Sequence, residues 1–158
     1  MGYKIFSSER KGEEMGLVKF ENVQICEKAN DWREAIRISV QPLEQGGYVK
    51  SCYKDGIIEN LEKFGPYIMI ADEIAMPHAR PEQGTIDTQI SITLFREGVL
   101  FDGKETAARL FVTLAAKDND SHMDALVKIS ELLSDDDKVE KILAASDVQT
   151  LYHYFECV

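Results

Sequence analysis

Apolar positions recur along this chain with two different periods, and the change between them outlines the fold. Asp31-Trp32-Arg33-Glu34 has the form of a capping box. Trp32, Ala35, Ile36, Val40 and Leu43 follow at helical spacing until Gly46-Gly47 stops the pattern. A second stripe, Tyr53, Ile57, Ile58, Leu61 and Phe64, predicts a helix over 51–64 closed by Gly65-Pro66. Beyond it the period changes. Residues 67–71 (YIMIA) form an unbroken apolar run, as in a strand covered on both sides, and lead almost directly into a Pro-His segment. Residues 89–96 and 110–116 predict two more strands, joined through an Asp102-Gly103 turn, and 22–26 reads as a short first strand. After the polar run 117–121, with Asp120 or Ser121 as the cap, helices are expected over 122–133, 136–144 and 147–155. Buried strands followed by helices imply an α/β (α+β) fold, a mixed β-sheet flanked by helices on both faces, in a single domain. Residues 1–20 are polar and mixed in charge and read as a flexible leader to a domain over 21–158.

Composition narrows the function. With 158 residues, 44% of them hydrophobic, the chain can bury a sizeable core. A formal charge of −10 argues against nucleic acid and against adhesion to anionic membranes. No apolar run approaches the ~18 residues of a membrane span, and the N-terminus lacks a signal-peptide core, so a cytoplasmic protein is expected. Cys26, Cys52 and Cys157 are odd in number and widely spaced, which suits free thiols rather than a disulfide or zinc framework.

The segment Ala75-Met76-Pro77-His78-Ala79-Arg80-Pro81 carries the most chemistry. Two prolines stiffen the backbone around His78, and an imidazole with a guanidinium two residues on suits a nucleophile that takes a phosphoryl group. His122 follows another strand and a short polar loop, in the first turn of a helix. Two adjacent parallel strands would bring the two rings together, beside a helix N-terminus that favours an anion. His78, His122 and Arg80 then make one phosphate-sized pocket. Two histidines without an evident third ligand make a weak metal site, and no glycine-rich phosphate loop is present.

These residues resemble the enzyme IIA component of the bacterial phosphoenolpyruvate-dependent sugar phosphotransferase system, in the mannitol/fructose superfamily and nearest its ascorbate-type branch. The resemblance rests on residues 31–36 (DWREAI), Pro42-Leu43, Gly47-Tyr48-Val49, Tyr53, Gly65-Pro66-Tyr67, residues 75–82 (AMPHARPE), Leu114-Ala115-Ala116, Asp118, His122 and residues 132–135 (LLSD). It implies a phosphotransferase that takes a phosphoryl group from phospho-HPr on His78, with His122 as second active-site histidine. The group then passes to enzyme IIB, and indirectly serves the membrane enzyme IIC, during uptake of a carbohydrate such as ascorbate, a pentitol or a hexitol. No metal and no cofactor are called for. The alternative is a regulatory module of the same fold whose phosphorylation controls binding. Mannitol- and fructose-type members carry an arginine near the end of the helix before the active-site strand. Here that stretch reads Glu62-Lys63-Phe64, which leaves Arg80, Lys63 or backbone donors to stabilise the phosphoryl group. Met76 and Ala79, with Ile74, are expected to be exposed as the partner-docking surface.

Overall fold

A computed structural model describes residues 16–158 apart from residue 157. The expected leader therefore lies largely outside the described residues. Strand β1 (Val18–Cys26) begins four residues before the expected one. Helices α1 (Trp32–Gln45) and α2 (Tyr53–Phe64) follow. Then come strands β2 (Met69–Ala71) and β3 (Ile74–Ala75), a 3-10 turn at Pro81–Gln83, and strands β4 (Gln89–Val99) and β5 (Ala108–Ala115). Helices α3 (Asn119–Leu133), α4 (Asp136–Leu143) and α5 (Val148–Phe155) complete the order.

The strands form one mixed sheet in the order β1-β4-β5-β3-β2. Pairs β1/β4 and β3/β5 are parallel, and β4/β5 and β2/β3 antiparallel. Alternation on β5 sends Leu110, Val112 and Leu114 into a core shared with α3, α4 and α5. Phe111 and Ala115 face the opposite core, built with α1 and α2. Helices thus cover both faces. Buried Ser91 and Thr93 of β4 face α1 and stay satisfied: Ser91 Oγ donates to Ser39 O at 2.7 Å, and Thr93 Oγ1 accepts from Gln24 at 3.0 Å.

One expected strand is corrected. Residues 67–71 do not make a covered strand. Gly65 (φ 84°) and Pro66 turn the chain, and only Met69–Ala71 pairs, at the edge of the sheet with Ile70 exposed. A tight reversal at Asp72-Glu73, where Glu73 adopts φ 66°, returns the chain as β3. The Pro-His segment therefore leaves β3, which pairs with β5 inside the sheet, Ala75 opposite Phe111.

Candidate functional site

Because β3 and β5 run parallel as neighbours, the residues after them emerge at the same edge of the sheet. Met76-Pro77-His78 continues β3, and Asp118 starts α3 just after β5. The His78 and His122 rings lie 5.7 Å apart between centroids, at the mouth of a cleft of about 470 Å³. Asn60, Phe64 and Tyr67 line one wall, and Arg80, Asp118 and His122 approach from the other elements.

The backbone around His78 is held at each step. Met76 N–H donates to Ile68 O (2.8 Å), and Leu114 N–H to Pro77 O (2.9 Å). Tyr67 Oη donates to His78 O (2.6 Å), with its ring edge-on to the imidazole at 5.2 Å. Ala79 N–H donates to Tyr53 Oη (3.0 Å). His78 Nδ1 lies 2.8 Å from Met76 O. A carbonyl only accepts, so Nδ1 carries a proton, and in the neutral ring the lone pair falls to Nε2.

Asp118, not Asp120 or Ser121, caps α3: its carboxylate accepts from Ser121 N–H at 2.8 Å. That bond holds the Asp118 carboxyl below its ordinary range. The helix accordingly begins three residues earlier than expected, and His122 stands one turn inside it. The N–H groups of Asn119 and Asp120 have no intrahelical acceptor, and Asn119 lines the cleft. Burial first, and the neighbouring His78 second, push the His122 imidazole below its ordinary pKa. Both influences favour the neutral ring of His122.

Arg80 is the only lysine or arginine among the lining residues; Lys63 does not line the cleft. The Arg80 side chain is largely exposed and lies 3.8 Å from Glu82. Its backbone N–H donates to Gln83 Oε1, which also accepts from Asn60, so the 3-10 turn is tied to α2. Ala79 is half-buried at the cleft. Met76 and Ile74 depart from expectation. They sit two residues apart, so both face the core under α3, α4 and α5, where Met76 is 4% exposed and Ile74 2%. Neither presents a surface to a partner. The exposed apolar residues nearby are Phe64, Tyr67, Met123 and Val127. Sequence reasoning gave no role to Tyr53, Asn60, Tyr67 or Gln83. The aromatic after Gly65-Pro66 was the one local signal for Tyr67. His153 lies far along α5, exposed and paired with Glu156. Among the described residues no three His, Cys, Asp or Glu side chains gather as a metal site, and no helix is long and apolar enough to cross a membrane.

A mixed sheet thus places a half-buried imidazole, one nitrogen tied back, in a cleft shared with a second histidine and the start of a helix. Residues 17–157 match the family of phosphoenolpyruvate-dependent sugar phosphotransferase system EIIA 2 proteins, and the chain belongs to it. It is 38% identical over 130 residues to the mannitol-specific cryptic phosphotransferase enzyme IIA component of Escherichia coli K12, covering 82% of this chain and 88% of that one. It is 33% identical to the ascorbate-specific EIIA component of Mycoplasma pneumoniae, covering 86% of each. Among solved structures it resembles the complex of enzyme IIA-mannitol with phosphorylated enzyme IIB-mannitol from Escherichia coli, with a TM-score of 0.76, 27% identity, and coverage of 88% of this chain and 98% of that one. As a family member the chain is a phosphotransferase that relays a phosphoryl group through a histidine.

Proposed function

We propose that His78 Nε2 accepts the phosphoryl group from phospho-HPr and passes it to an enzyme IIB partner, in the cytoplasm, on behalf of a membrane enzyme IIC. The observation that supports this reading is the bond from Nδ1 to Met76 O, which ties back one ring nitrogen of a cleft-lining histidine and favours Nε2 as the nucleophile. In the step, the N–P bond on HPr breaks as the Nε2–P bond forms, the HPr ring recovers its lone pair, and neither reacting ring gains or loses a proton. Nucleophile and leaving group are alike, so rate comes from alignment and from stabilising the equatorial oxygens. His122, Arg80 and the first N–H groups of α3 are placed to do the latter. The partners dock on exposed apolar residues, Phe64 and Tyr67 of the cleft with Met123 and Val127 of α3, beside Ala79. The carbohydrate is ascorbate or a polyol, as the mannitol- and ascorbate-specific relatives suggest.

The test is labelling from phosphoenolpyruvate with enzyme I and HPr. His78→Ala is expected to abolish label, and label that persists removes His78 from the role. Arg80→Ala is expected to shorten the lifetime of the phosphorylated form, by about 1–3 kcal/mol in stabilisation if the guanidinium is a direct ligand.

A further inference from the structure

The Tyr53 hydroxyl closes a hydrogen-bonded circuit around His78. It accepts from Ala79 N–H at 3.0 Å and donates to Leu114 O at 2.8 Å. Leu114 N–H in turn donates to Pro77 O at 2.9 Å. The residues immediately before and after His78 are thus both pinned to a single residue at the end of β5, one directly and one through Tyr53. Tyr53 itself is fixed: it opens α2 and its side chain is fully buried in the core beneath the sheet. Burial also raises the phenol's pKa, which keeps its proton available for donation. The core's chemistry does not call for this hydroxyl, since a phenylalanine would fill the same apolar space. Its backbone partners are the Pro-His segment and the strand end, and the Thr85 hydroxyl lies beside it.

We propose that Tyr53 is a positioning residue for phosphoryl transfer, whose hydroxyl holds the His78 ring at the angle and in the tautomer that aim Nε2 into the cleft. This rests on His78 being the phosphoryl acceptor, but its structural half does not. Without the hydroxyl, Ala79 N–H and Leu114 O lose their partner, the segment loosens on one side of His78, and the Nδ1 bond to Met76 O is no longer enforced. Misalignment of an in-line transfer by a fraction of an ångström to an ångström is costly.

The experiment compares the wild type with Tyr53→Phe, and with Ile57→Val, a destabilising change one turn away in the same core. Two readouts are taken on each: the transfer rate from phospho-HPr, and the ¹⁵N resonances of the unphosphorylated His78 ring. Tyr53→Phe is expected to slow transfer by about tenfold to a hundredfold, with KM little changed, and to mix the two His78 tautomers. Ile57→Val should leave both readouts as in the wild type. A folded Tyr53→Phe protein with wild-type rate and unmoved His78 resonances overturns the proposal, as does an equal effect from Ile57→Val. If the phenylalanine protein does not fold, 3-fluorotyrosine placed at position 53 alone strengthens the donor, and His78 resonances that do not respond overturn the proposal equally. Failure of the underlying reading is distinguishable: wild-type protein would then carry no phosphate on His78, while the ring resonances would still report on Tyr53.

Discussion

His122 and Met76 show what a single side chain's surroundings decide. Burial, and then the ring beside it, push the His122 imidazole below its ordinary pKa. A phosphoryl dianion on His78 would reverse the second influence and favour the imidazolium. The expected outcome is that His122 takes up a proton when His78 is phosphorylated, read as a change in its ¹⁵N ring shifts at constant pH near 7; unchanged shifts would mean the two groups do not interact. The same depression has a sign for stability. The unfolded chain binds the His122 proton more readily than the folded one, so this contribution is complete above the ordinary histidine pKa, about 6.5. It is lost as pH falls through that value toward the folded one. Replacing His122 with Asn should flatten urea-measured stability over that window. Met76 teaches the opposite lesson. Its place beside Pro77-His78 suggests function, whereas its parity with Ile74 on a continuing strand sends it into the core. Met76→Ala is expected to cost about 2–5 kcal/mol in unfolding free energy, with KM for the phospho-donor unchanged; a raised KM at normal stability would restore it to the docking surface.

At the scale of the elements, caps made the helices legible. Asp31, Asp135 and Asp147 each accept a backbone N–H at the start of a helix. The start of α3 was read too late because Asp120 and Ser121 are also cap-forming residue types. Asp118 takes the position by reaching the Ser121 N–H three residues on. Asp118→Ala should lower the melting temperature and slow transfer by fraying the turn that carries His122, and Asp118→Asn should restore both. The short β2–β3 hairpin could not be read from the sequence. Strands of three and two residues show no usable period, and the reversal at Asp72-Glu73 uses a non-glycine residue at positive φ instead of a recognisable turn signal. Missing β3 also misplaced the origin of the Pro-His segment by one strand.

At the scale of the molecule, the pairing of the two histidines was legible because it follows from topology alone: two parallel neighbouring strands must release their C-terminal loops at one edge. The docking face was not, because exposure depends on which elements the tertiary fold leaves uncovered. Phe64 reads as the last core position of a helical stripe, yet stands 66% exposed and lines the cleft. Phe64→Ser and Val127→Ser are each expected to raise KM for phospho-HPr by about fivefold to thirtyfold while leaving kcat nearly unchanged, as steady-state transfer assays would show. An equal fall in kcat would instead place these side chains at the chemistry. The acidity of the chain adds a long-range attraction for a basic carrier, so the association rate should fall as salt rises.

The most direct measurement is the position of phosphorus on the protein after incubation with phosphoenolpyruvate, enzyme I and HPr, read by ³¹P–¹⁵N coupling in histidine-labelled material. Coupling to Nε2 of His78 is the result this structure predicts. Coupling to Nδ1 of His78, to His122, or to no ring nitrogen would contradict it.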